Sequence, residues 1–434
     1  MAEFLKQIPN KIKYEKYTLS NGLPVILIPE KDLLSCHCNL YVRTGTQYET
    51  KENNGISHFL EHLLFKGTKQ KPTNFDLTKP LDEIGANYNA MTGYEFTSFY
   101  VNAGYQFIET AINFLSDVYQ NSIFPEAEFQ KEKGVILEEI KMYQDNPMTD
   151  IEDIFNRVVY GDQPAGWNIA GTEKNIQHLK REDIIKYYKT YYCARNSFLV
   201  ISGNFEKKKT KQLVDKYFSN ANSGQLYPYP KTKIVRGKPK FIYQQRKTQE
   251  THFILGFQTF PYGNRHLYTI DTIDSILSGG FTSRLFQLVR EKLGGAYYIH
   301  SASYSCFDRG LFIVKGGIKQ DQSTLIIKEI LREIKSLKQN KVSKEELQKA
   351  KNYLLGFQTR NLDQPYSLVH YVIESAMYQK PIETPYQKMK AIFQTTPQDI
   401  LKIANKIFTK DNINLAIISN LKNKNAFAKL VKNI

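Results

Sequence analysis

Gly55-Ile56-Ser57-His58-Phe59-Leu60-Glu61-His62-Leu63-Leu64-Phe65-Lys66-Gly67-Thr68 is the stretch on which the reading turns. His58, Glu61 and His62 form His-x-x-Glu-His. On a helix, residues four apart lie on one face, one turn above the other, so both imidazoles can reach one ion. Zinc takes imidazole nitrogen at about 2.0–2.1 Å, and catalytic zinc usually has three protein ligands plus water. Glu61 overlooks the same face three residues after His58, placed to touch a water rather than the metal. Ile56, Phe59, Leu60, Leu63, Leu64 and Phe65 give the helix an apolar surround, the mark of a buried element. The pattern predicts a helix with Ser57 as its N-cap and Gly67 as its stop. A third ligand is expected downstream.

The chain has 434 residues, 41% apolar and 13% aromatic. That is too long for one ordinary core and predicts two or more domains. No apolar run approaches the ~20 residues that span a bilayer. Residues 1–22 lack the apolar core and small-residue cleavage site of a secretory signal, and they do not read as an Arg-rich transit peptide. The four cysteines (Cys36, Cys38, Cys193, Cys306) form no disulfide framework, so a cytoplasmic location is expected. Cys36-His37-Cys38 sits inside an apolar strand pattern and reads as strand core. The net charge of +16 comes mainly from lysines spread along the chain. With no nucleic-acid module beside them, they read as a solvated surface.

The chain pattern alternates strands and helices. Strands are expected at 17–29, 36–43, 86–103 (a pair) and 197–203, and helices at 74–84, 105–121, 126–145, 149–160 and 181–192. Residues 206–240, with a Lys run and then Pro228, Pro230 and Pro239, read as a break, and the domain boundary is placed there, near 228–236. The second half echoes the first. Asp183-Ile184 and Asp399-Ile400 each open a helix 216 residues apart, and Arg195-Asn196 and Asp411-Asn412 precede apolar strands at the same offset. Phe99-Tyr100-Val101 and Phe312-Ile313-Val314 match at an offset of 213. A common offset in a common order predicts an α+β unit duplicated within the chain. The segment that aligns with the histidine helix, near Thr272–Ser278, is read as carrying no metal ligand.

The helix expected at 126–145 carries Glu126, Glu128, Glu132, Glu138 and Glu139 among apolar Val135, Ile136 and Ile140. Glu132 and Glu139 are seven apart and share a face. Gly134 in its middle costs about 1 kcal/mol against Ala, which predicts a close neighbour.

Two motifs, 55–68 and Glu132-x-Gly134-Val135-Ile136-Leu137-x-Glu139-Ile140, together with Thr18-Leu19-Ser20-Asn21-Gly22-Leu23, resemble the pitrilysin/insulinase family of zinc peptidases, the inverted zincins. Within it the chain is most similar to the two-domain branch that includes mitochondrial processing peptidase. The resemblance runs over essentially the whole length. It implies one zinc ion per chain, with Glu139 as the third ligand, Glu138 as the alternative, and Glu132 supporting the site. It implies an N-terminal zinc-binding domain over 1–228 and a homologous domain over 229–434 without metal ligands. Each would be a mainly antiparallel sheet packed with helices. Asn89-Ala90 matches an edge strand to which substrate peptide adds as a further strand. Arg290 and Tyr297, in Arg290-Glu291-Lys292-Leu293-Gly294-Gly295-Ala296-Tyr297, match a pair that binds substrate carbonyls beside the zinc. In the family four such domains enclose a chamber, so the resemblance implies a homodimer, or a heterodimer with a related metal-free subunit. The implied activity is hydrolysis of peptide bonds in unfolded peptides or presequences. The alternative is a non-catalytic structural subunit of the same fold.

Overall fold

The strands follow from apolar runs bounded by turn residues. The computed structural model describes residues 5–235, 237–364, 366–422 and 424–431. Six strands form a first sheet: β1 (Glu15–Thr18), β2 (Pro24–Pro29), β3 (Ser35–Val42), β4 (Asn87–Thr92), β5 (Thr97–Gly104) and β6 (Ser197–Gly203), in the order β1-β2-β6-β3-β5-β4. Five form a second: β7 (Lys240–Gln245), β8 (Glu250–Gln258), β9 (Ala296–Ser305), β10 (Gly310–Lys319) and β11 (Ile413–Ser419), in the order β7-β11-β8-β10-β9. β2 and β6 pair parallel, as do β7 and β11, and every other pair is antiparallel. Remove β1 and the two orders superimpose strand for strand. The fold is therefore α+β and duplicated, and β6 and β11 lie 216 residues apart as the repeat offset requires.

Burial explains the composition of each strand. β6 and β11 are buried along their whole length, which suits Ser-Phe-Leu-Val-Ile-Ser-Gly and Ile-Asn-Leu-Ala-Ile-Ile-Ser. β4, at the edge, alternates exposed Asn87, Asn89 and Met91 with half-buried Tyr88, Ala90 and Thr92. Each sheet packs helices of its own half on one face, giving the two main cores.

The opposite faces are covered by exchange. The helix Pro147–Tyr160 belongs to the first half in sequence, yet its Ile151, Phe155 and Val159 pack on Ile254, Ile313, Ala416 and Ile418 of the second sheet. The helix Ser367–Tyr378 returns the arrangement, with Val369, Val372 and Met377 on Ile26, Ile28, Phe198 and Val200 of the first. Gly256 makes room for this crossing: a Cβ there would meet Phe155 Cζ at 2.4 Å.

Several local expectations change. The segment read as a break contains the helix Lys207–Phe218. Its lysines fill the first turn, while Leu213, Val214 and Phe218 recur at helical spacing and are buried. A short helix at Glu173–His178, not expected, opens with Thr172 accepting from Asn175 N. Gly134 has no close neighbour, since a Cβ there would meet nothing within 4 Å. No helix among the described residues is long and apolar enough to cross a membrane.

Candidate metal centre

The histidine helix spans Ile56–Leu63 and is capped by Gly55, not Ser57. Gly55 has φ 101°, and a Cβ on it would lie 2.7 Å from the Ala170 carbonyl oxygen. Only glycine fits such a turn without strain. The free amides of the first turn are taken by the buried carboxylate of Glu49. Its Oε2 accepts from Gly55 N and Asn54 Nδ2, and Oε1 from Ser57 N, all at 2.9 Å. An acid at a helix N-terminus also meets the positive end of the dipole. Ile56, Phe59, Leu60 and Leu63 anchor one face in the core, and that leaves His58, Glu61 and His62 on the other.

The glutamate helix, Glu126–Asp145, lies against it, with Phe59 stacked on Phe129 at 5.1 Å. Phe129, Glu132, Ile136 and Ile140 are its buried positions. That register turns Glu139 toward the histidines. His58 Nε2 lies 3.8 Å from Glu139 Oε1, and His62 Nε2 lies 3.5 Å from Glu139 Oε2. One ligand atom from each of His58, His62 and Glu139 falls within 4.8 Å of the others. Tetrahedral zinc with ligands at about 2.0–2.1 Å sets donors about 3.3–3.4 Å apart. The two histidine–glutamate separations, each to a different oxygen of Glu139, are a few tenths of an ångström or less wider than that, so the three side chains converge on one ion-sized space. The donor set, two imidazoles and a carboxylate, is one that zinc takes. Glu138, the alternative ligand, points away and pairs with Lys141 at 2.8 Å with most of its side chain exposed.

The surroundings prepare the donors. His62 Nδ1 lies 3.1 Å from Glu132 Oε2, which fixes the proton on Nδ1 and frees Nε2. Lys66 Nζ lies 2.6 Å from Glu132 Oε1. Burial works to raise the Glu132 carboxyl, but these two donors and the Lys66 charge hold it below the ordinary range. Burial, with His62 adding, pushes the His58 imidazole down to about 3 and keeps it neutral. For His62 burial acts downward, but Glu132, Glu139 and Glu61 together raise it. Burial raises Glu61, against the hydrogen bond that Thr92 Oγ1 donates to its Oε2.

β4 runs beside the histidine helix as the edge of its sheet, with Tyr88, Ala90 and Thr92 toward that helix. Ala90 N donates to Asn89 Oδ1 at 2.8 Å, so this amide faces outward from the sheet. Arg290 and Tyr297 lie elsewhere. Arg290 is exposed in the helical turn Phe286–Lys292, its guanidinium 5.2 Å from the Phe286 ring. Tyr297 is 64% exposed at the start of β9. Among the described residues neither bonds to the three-residue cluster. Glu49, Thr92 and Lys66 were not foreseen. The alternation in 86–103 already put Thr92 on the face of Tyr88 and Ala90, and an acid just before a helix start was the signal for Glu49.

Comparison with known proteins gives the family. Residues 25–173 match the family model for insulinase (peptidase family M16), and residues 178–354 match that for the peptidase M16 inactive domain. An uncharacterized zinc protease of Rickettsia felis is 36% identical over 397 residues, covering 90% of this chain and 94% of that protein. The chain belongs to the insulinase (M16) family. The uncharacterized zinc protease YmxG of Bacillus subtilis is 29% identical, over 93% of this chain and 98% of its own. Among solved structures, a protease from Helicobacter pylori superimposes with TM-score 0.88 at 21% identity, over 94% of this chain and 100% of that one. The M16 inactive-domain protein of Pseudomonas fluorescens gives TM-score 0.86 at 17% identity, over 94% and 98%. At those identities the structures report the shared two-sheet M16 fold. Several of the M16 relatives carry zinc in their names, in keeping with the donor set built here.

Proposed function

We propose that this M16 protein is an active zinc metalloendopeptidase that cleaves unfolded peptides or presequences. The observation that carries the reading is the convergence of His58, His62 and Glu139 beside a buried, hydrogen-bonded Glu61. His58, His62 and Glu139 hold one zinc ion, and Glu132 orients His62. When bound, the ion supplies Lewis acidity that polarises the scissile carbonyl and makes water a better acid. Glu61 takes the proton from the attacking water and returns it to the leaving amide nitrogen. Its raised pKa brings it nearer the working pH of a general base, and Thr92 fixes its carboxylate.

Substrate adds along the free edge of β4, where Asn89 and Ala90 present main chain, so recognition rests on backbone more than on side chains. Residues 1–228 form the metal-binding half. Residues 229–434 contribute Arg290 and Tyr297, whose exposure fits a pair that reaches the zinc site of a second subunit in a homodimer, or of a metal-free relative in a heterodimer. The four free cysteines suit a reducing cytoplasm.

Glu61→Gln tests the mechanism: zinc content stays at the wild-type level while cleavage of a quenched peptide is lost. Cleavage at the wild-type rate sinks it. For the shared site, mixing Glu61→Gln with Arg290→Ala restores part of the activity. No recovery under proven subunit exchange refutes it.

A further inference from the structure

Arg43 follows β3 and leads into the loop that carries Glu49. Its side chain is half-buried, with Cζ 4.9 Å from the Phe198 ring centroid. Nη2 donates to the Ala376 carbonyl at 3.0 Å, and Nη1 reaches the Ser197 carbonyl at 3.5 Å. The third nitrogen, Nε, is buried and has no acceptor. Among the described residues no carboxylate pairs with Arg43, and Tyr48 is the one titratable group acting on it. Arg309, the other deeply placed arginine of this interface, is the contrast: it pairs with Asp308 at 3.3 Å and bonds to Gln47, Tyr229 and Thr232. A buried charge without a counter-ion is strongly unfavourable, and folded proteins pair such groups. Burial accordingly holds the Arg43 guanidinium below its ordinary range.

The side chain lines a cavity of about 390 Å³ with Tyr48, Tyr227, Tyr229, Phe307 and Tyr378. This volume lies within the range of small-molecule sites, about 300–1,000 Å³. The Tyr48 hydroxyl makes no hydrogen bond among the described residues and is a second unfilled donor. Glu95, also in the wall, is already committed. Its Oε1 accepts from Tyr229 OH at 2.7 Å and Phe307 N at 2.9 Å, and Oε2 from Tyr378 OH at 2.7 Å. Its charge acts on Arg309 and, from the same wall, on Tyr48. What is left facing the cavity is a cation, the Tyr48 hydroxyl and aromatic walls.

We propose that this cavity binds a small organic carboxylate with a flat apolar body, its carboxylate on Arg43 and Tyr48 and its body between the aromatic rings. Guanidinium and carboxylate match in shape and form strong charge-assisted hydrogen bonds. The walls come from the loop after β3, the connection between the halves, the β9–β10 turn and the end of the exchanged helix Ser367–Tyr378. A bound carboxylate therefore ties the two halves together. The site is separate from the metal centre and stands whether or not the peptidase reading does.

The test is calorimetric titration of the full chain with 3-phenylpropionate, beside thermal melts. 3-Phenylpropan-1-ol and 2-phenylethylamine serve as uncharged and cationic controls. The expected result is saturable one-site binding of the carboxylate with a raised melting temperature, and no binding of the amine. Arg43→Met weakens binding about tenfold or more, Tyr48→Phe weakens it about threefold to tenfold, and Arg43→Lys falls between wild type and Arg43→Met. Should Arg43→Met fail to fold, Tyr48→Phe and the wild-type discrimination among the three probes still decide. Absence of saturable carboxylate binding, equal binding of the alcohol, or unchanged affinity in both variants overturns the proposal.

Discussion

Replacing Glu132 by Gln separates the metal's orientation from its ligation. The Glu132 side chain is 4% exposed and serves two donors, His62 Nδ1 at 3.1 Å and Lys66 Nζ at 2.6 Å. Glutamine keeps the shape but has one acceptor oxygen, and its NH₂ must face one of those donors. His62 loses the fixed proton position that leaves Nε2 free. Loss of such a supporting partner typically weakens metal binding 10–100-fold, or about 1.4–2.7 kcal/mol. The apoprotein is also destabilised, because Lys66 is left without its counter-ion. Breaking a fully buried pair costs roughly 3–5 kcal/mol. Lys66 is 20% exposed and can turn its ammonium to water, so about 2 kcal/mol is expected. Zinc affinity is read by competition with a chromophoric chelator, and apoprotein stability by denaturant midpoint. The double variant Lys66→Met/Glu132→Gln recovers apoprotein stability but not zinc affinity. Zinc affinity within about twofold of wild type would show that Glu132 does not set His62. A loss beyond about 10⁴-fold would make Glu132 a ligand itself.

Thr92→Val removes the hydroxyl that holds Glu61 and lowers kcat about tenfold with zinc content unchanged; an equal loss of zinc would point to a folding effect instead. Gly134→Ala stabilises the protein by about 0.5–1 kcal/mol, because it sits exposed in a helix with room for the methyl group, and a lower denaturation midpoint would contradict this. Asp274 is pushed up to about 7 by burial. The unfolded chain, with an ordinary carboxyl near 3.9, releases this proton first, so stability from this group is full below about pH 4 and is lost as pH rises through about 7. Asp274→Asn therefore flattens the fall in stability between about pH 4 and pH 7, by an amount on the order of a few kcal/mol. Parallel pH slopes for variant and wild type in denaturant titrations would remove Asp274 as the cause.

The sequence by itself determined what depends on short-range periodicity and on the repeat. Spacing of four put His58 and His62 on one helical face, because 3.6 residues make a turn. Spacing of seven put Glu132 and Glu139 on one face of a second helix. The offset of 216 located β6 and β11 and with them the duplicated α+β plan. Tertiary structure decided everything that depends on which faces meet. Glu139 rather than Glu138 turns to the histidines because Ile136 and Ile140 seat that helix in the core. Local pattern put Glu49 ahead of a helix start and Thr92 on the face of Tyr88 and Ala90, but only packing brings Thr92 from an edge strand to Glu61 and folds Glu49 back onto the helix amides. The helix Pro147–Tyr160 lies in the first half of the chain but completes the second sheet, since an amphipathic face specifies that it must be covered and not what covers it. Arg290 and Tyr297 stay exposed and apart from the metal centre for the same reason: motif spacing fixes neighbours along the chain, while juxtaposition across it is fixed only by packing.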